Sequence, residues 1–244
     1  MNTFFLDRLN GEPHALAFAG QSTPWPVALT DQSANPVLSE ALHAHADAAQ
    51  ALLYPVSADL LATTGRPVDL FGFEPNPARL GAAAAASASV PGIALAQLGA
   101  LLDAASLGYN PAVAKPVAVL GHSQGVLAVH MVQSIVEAGS IEAASAQIDE
   151  ILAIATLIGV AGTRQARQLG LAARHGEATP MLSVKDITRA QVDALIKRVS
   201  GARGPIAVAV TNSATHYVLS GYPEDLAAFG VEVAKEHKHQ AKLR

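Results

Sequence analysis

Gly121-His122-Ser123-Gln124-Gly125 is the part of this chain best suited to covalent chemistry. A serine hydroxyl is a poor nucleophile until it is lifted into the open and given a base. A sharp turn between a strand and a helix does the lifting, and glycines on either side permit the backbone crowding. The following helix N-terminus supplies N–H groups and positive dipole for a developing oxyanion. The flanks have the required form. Residues 117–120 are apolar and read as a strand; residues 126–138 are apolar-periodic and read as a helix. His122 adjoins Ser123 and is expected to point away across the turn, as a packing residue rather than the base. The plainer alternative is a glycine-bounded turn in which Ser123 only caps the helix.

Other elements must position that turn. Residues 14–19 read as a first strand, and residues 20–26, with two prolines, as a turn. Residues 36–53 and 58–64 have helical periodicity, and the proline- and glycine-punctuated stretch 67–77 reads as loop. Helices are expected at about 90–107 and 141–161. Alternating strands and helices, with apolar strands, predict an α/β fold with a parallel sheet covered on both faces. After Gly176 the texture changes. A strand at 181–184 precedes a helix at 188–199, capped by Thr188 with Gln191 three residues on. Strands at 206–210 and 216–220, joined by Thr211-Asn212-Ser213-Ala214-Thr215, lead to a last helix at 224–239. This β-α-β-β-α string resembles most of a ferredoxin-like unit. The expected division is a large α/β subdomain over 1–177 and a small one over 178–240.

Composition narrows the chemistry. Half of the 244 residues are hydrophobic and 15% are charged, so a sizeable core is available. A net charge of −4 offers nucleic acid no electrostatic attraction. The absence of cysteine removes thiol nucleophiles, cysteine metal sites and disulfides, and agrees with a cytosolic enzyme. The start lacks the sustained apolar core of a signal peptide. The apolar run 80–105 is alanine-rich and reads as a buried helix rather than a membrane span. No Gly-x-Gly-x-x-Gly or Walker lysine supports nucleotide binding. No pair of histidines has convincing metal-ligand spacing with a carboxylate.

Three features in this order resemble one family: Leu16-Ala17-Phe18-Ala19-Gly20-Gln21, the Ser123 pentapeptide, and the small α/β unit containing Thr211 to Gly221. The chain is similar to the acyl-CoA:acyl carrier protein transacylases, in particular the acetyltransferase domain of type I fatty acid synthases. That resemblance implies a hydrolase-like α/β subdomain with a ferredoxin-like insertion. It implies a ping-pong reaction in which Ser123 takes an acyl group from coenzyme A. The acyl group then passes to the phosphopantetheine thiol of an acyl carrier protein. The backbone N–H groups of Gln124 and Gln21 would form the oxyanion hole. His122, Ile158 and Asn212 are the expected substrate-binding residues. Malonyl-specific members carry an arginine for the malonyl carboxylate where this chain has Ile158, which favours an acetyl group; Arg164 and Arg167 lie further along and read as solvated. No cofactor stays bound, the partners are acyl-CoA, a carrier domain and other synthase domains, and the expected location is cytoplasmic.

In the family the base follows the small subdomain in a Phe-His-Ser-like turn. No such tripeptide occurs here, so the resemblance places the histidine beyond Arg244. The expectation is an N-terminal piece of a longer polyprotein, poorly active alone. Of the nine histidines present, His216, opening a strand of the small unit, is the one nearest to a catalytic role. Two other functions remain open. One is a serine esterase or thioesterase, with Asp225 and His237 or His239 completing the order Ser, Asp, His. The other is an inactive structural or carrier-docking fragment.

Overall fold

The computed structural model describes residues 9–20, 24–64, 86–168, 181–199 and 205–242. Gln21, the loop at 67–77 and His175 therefore lie outside the described residues. The chain divides into two units, Met1–Ala166 and Arg167–Arg244.

The first unit is built around two parallel strands, β1 (Ala15–Phe18) and β2 (Ala118–Gly121), in register from Ala15 opposite Ala118 to Phe18 opposite Gly121. Between them come α1 (Trp25–Ser33), α2 (Pro36–Leu52), α3 (Ser57–Thr64), α4 (Ala86–Ser106) and the short α5 (Pro111–Ala114). After β2 follow α6 (Gly125–Ala138) and α7 (Ser145–Gln168). α2 begins where the sequence dictates. Asn35 accepts from the Val37 and Leu38 N–H groups, and Pro36 occupies the first turn, where no N–H is needed. Its buried residues Leu38, Leu42, Ala46 and Ala49 form one stripe. The stripe packs into a core with Ile93, Leu95 and Leu98 of α4 and Met131 and Ile135 of α6. Each fully buried leucine or isoleucine there contributes roughly 1.5–3 kcal/mol.

α4 and α7 are each long and apolar enough to cross a membrane, but α4 is 72% buried over its most apolar stretch, as a core helix is. α4 starts at Ala86, before the expected 90, and runs through Pro91. Proline there donates no N–H to the Ser87 carbonyl, so the helix runs on with one intrahelical bond fewer. Trp25 fills the space that a side chain at Gly92 would need, and this contact seats α1 on α4.

Two expectations are corrected. Residues 25–33 form a helix where the two prolines read as a turn; Pro26 sits in its first turn, and Trp25 and Leu29 are buried. The parallel pair is present, but its strands are not covered on both faces: Leu120 of β2 is 59% exposed.

In the second unit the strands are β3 (Met181–Lys185), β4 (Ala207–Ser213) and β5 (His216–Ser220). They form an antiparallel sheet in the order β3-β5-β4, with α8 (Arg189–Val199) and α9 (Pro223–Lys242). α8 carries the expected capping box. The Thr188 backbone N–H donates to Gln191 Oε1 at 2.9 Å, and the Gln191 N–H returns to Thr188 Oγ1 at 3.4 Å. The unit has its own core, centred on Leu195, Leu219 and Phe229. β4 extends to Ser213, further than expected, because irregularities between Val208 and Val210 and between Thr211 and Ser213 let it stay paired with β5.

Candidate active site

β2 hands the chain directly to the turn at 122–124 and then to α6. The His122 N–H donates to the Phe18 carbonyl at 3.0 Å, so the parallel ladder continues one residue past the strand. The Gly125 N–H donates to the His122 carbonyl at 2.9 Å and the Val126 N–H to the Ser123 carbonyl at 3.2 Å, closing the turn into a helix. Ser123 holds φ at 55°, in the left-handed region. For a serine that conformation costs about 1–3 kcal/mol. The fold maintains it, and the serine side is exposed to solvent.

Close backbone approach explains the two flanking glycines. A Cβ on Gly125 would overlap the Phe18 carbonyl oxygen, and one on Gly121 would lie 2.6 Å from the Gly125 backbone. The loop leaving β1 comes as close. A Cβ on Gly20 would sit 2.7 Å from the His122 oxygen, 2.9 Å from Ser123 Cβ and 3.3 Å from the Gln124 nitrogen. Two separate segments, the β1 exit and the start of α6, thus meet at the serine. That is the arrangement needed to aim two N–H donors at one carbonyl oxygen.

Ser123, Gln124, His122 and the chain leading to Gln21 are therefore brought together. Ile158 is on α7 and half-exposed, with the half-exposed Ile154 on the same face one turn before it. Asn212 belongs to the second unit, where its Nδ2 lies 3.4 Å from His216 Nε2.

Most described histidines have other partners. His14 donates to the Glu12 carbonyl and accepts from the Tyr109 hydroxyl, whose pKa burial raises. His43 donates to the Ser39 carbonyl at 2.7 Å. His45 donates to Asp149 at 2.6 Å, tying α2 to α7. His216 Nε2 is 2.9 Å from Ser183 Oγ. His130 is exposed on α6, two turns past Ser123. Among the described residues no cluster of three or more His, Asp or Glu side chains is placed to hold a metal ion.

The sequence reading passes over Gln97. It is the single polar side chain between Val90 and Leu102, and it is 7% exposed. Its amide Nε2 donates to the Ala19 carbonyl, the residue before Gly20, at 2.5 Å. A lone amide in an apolar helix is the signal that would have found it, since a buried polar group needs a partner.

A family described as starter unit:ACP transacylase in aflatoxin biosynthesis matches residues 19–244. Among solved structures the chain is similar to the malonyl CoA-acyl carrier protein transacylase of Coxiella burnetii, at 17% identity with a TM-score of 0.55. That likeness covers 92% of this chain and 58% of the other. It is similar also to the acyl-carrier-protein-S-malonyltransferase of Bartonella henselae, at 17% identity with a TM-score of 0.52, over 92% of this chain and 60% of that one. The chain spans less than two thirds of the length of either. No curated protein matches. At this identity the structures establish the fold, a mixed α/β arrangement with a parallel sheet, as expected from the sequence.

Proposed function

The chain belongs to the starter unit:ACP transacylase family, and from that membership we propose that it transfers an acyl group between two thiols through an ester on Ser123. The observation that carries this reading is the Ser123 turn. An exposed serine at φ 55° stands where the β1 exit and the α6 N-terminus converge. The turn serves covalent chemistry better than capping, because α6 takes no side-chain cap hydrogen bond.

This reading entails the following steps. Ser123 Oγ attacks the thioester carbonyl carbon of an acyl-CoA while a base removes its proton. The carbonyl oxygen gains negative charge and accepts from the Gln124 N–H, with the Gln21 N–H as second donor. The C–S bond breaks, and the coenzyme A thiolate leaves with the proton. A phosphopantetheine thiol of a carrier protein then repeats the attack in reverse and frees the serine. The resemblance to the transacylases gives the role of base to an imidazole. Turnover that speeds with added carrier thiol and is slow in water alone supports this reading. Equal hydrolysis without carrier would instead make the chain an esterase or thioesterase.

The acyl group is short and uncharged, of the acetyl kind used to start a chain in fatty acid synthesis. Ile158 supports this, because an apolar side chain accepts a methyl group whereas a desolvated carboxylate requires a cation. Ile158→Arg is expected to shift the malonyl-to-acetyl ratio in direct competition by at least about tenfold. An unchanged ratio removes Ile158 from the acyl pocket. The working partners are acyl-CoA, a carrier domain and further domains of a synthase, in the cytoplasm.

A further inference from the structure

Gln97 lies on α4, in the interior, and Ser123 is exposed at the end of β2. One hydrogen bond connects α4 to the loop that abuts the serine: Gln97 Nε2 to the Ala19 carbonyl, 78 residues apart in sequence. A peptide unit is planar, so fixing the direction of the Ala19 carbonyl also fixes the Gly20 N–H on the opposite side. Gly20 is buried and in van der Waals reach of Ser123 Cβ and the Gln124 nitrogen. The orientation of the Ala19–Gly20 peptide therefore sets how the β1 exit lies against the Ser123 turn.

The rest of the amide shows that packing is not its purpose. Gln97 Oε1 is buried and has no hydrogen-bond partner among the described residues. A leucine would fill a similar volume and leave no such orphan. The Nε2 and Oε1 assignment is fixed by the Ala19 carbonyl, which can only accept.

We propose that Gln97 is a positioning residue for acyl transfer, whose amide locks the Ala19–Gly20 peptide against the Ser123 turn. The inference rests on the reading of Ser123 as nucleophile.

Gln97→Leu and Gln97→Glu in the full chain test it. Leucine preserves the packing and removes the donor. Glutamate donates to the carbonyl only when protonated. The first measurement is acylation of Ser123 by p-nitrophenyl acetate. At pH 8 both variants are expected to lose about 10- to 100-fold in maximal rate, with half-saturation changed less than about twofold. Relative to the unmodified protein at the same pH, Gln97→Glu recovers as pH falls toward 5, and Gln97→Leu does not. The second measurement is amide hydrogen exchange at Gly20, expected to be about tenfold faster in Gln97→Leu. Unchanged maximal rates, or a Gln97→Glu loss that is the same at every pH, overturn the proposal. If the unmodified protein is not acylated, exchange alone decides whether Gln97 holds the loop. Unchanged exchange then overturns the proposal too.

Discussion

Ser123→Ala is expected to lower acyl transfer by at least about 1000-fold while leaving the folded protein as stable as before. The two effects separate because of where the side chain is. Ser123 is an exposed residue, so removing its hydroxyl opens no buried cavity. The backbone strain remains, since alanine at φ 55° is no more comfortable than serine. Ser123→Gly extends the argument. Glycine relieves the left-handed strain, so this variant is expected to be inactive and more stable by about 1 kcal/mol. Transfer kinetics and urea unfolding of the three proteins check both statements. A destabilised Ser123→Gly would show that the strain is relieved elsewhere in the turn.

The second large effect is structural. Gly125→Ala is expected to cost about 2–4 kcal/mol, because its Cβ would occupy the place of the Phe18 carbonyl oxygen. Backbone must move to accommodate it, and the backbone concerned is the β1 exit itself. Activity should therefore fall together with stability. Gly11→Ala is the control: no atom lies within 4 Å of its Cβ, so the unfolding midpoint should barely change. A shift of less than about 0.5 kcal/mol for Gly125→Ala would mean that the two segments are not in contact in solution.

Local rules made much of this legible in the sequence. The Ser123 turn could be read because the fold needs glycine at both crossing points and apolar runs on both sides. Asn35-Pro36 and Thr188 with Gln191 declare helix starts by chemistry that involves only neighbouring residues. What escaped depends on distant partners. α1 was hidden behind Pro24 and Pro26, and its commitment to helix comes from Trp25 packing on Gly92, a tertiary contact. The pairing of His45 with Asp149 joins helices far apart in sequence, so no spacing rule points to it. Gln97 belongs in the same class: its partner is a carbonyl 78 residues earlier. The exposure of Leu120 was equally invisible, because an apolar strand reads the same whether or not its face is covered.

The central claim is that one serine hydroxyl carries the acyl group. The most direct test is to expose the protein to isotopically labelled acetyl-CoA, quench in acid, digest, and locate the label by mass spectrometry. The account predicts a base-labile acetyl ester on Ser123, lost when a phosphopantetheinylated carrier protein is added before the quench. A label on any other residue, or an adduct of equal amount in Ser123→Ala, would contradict it.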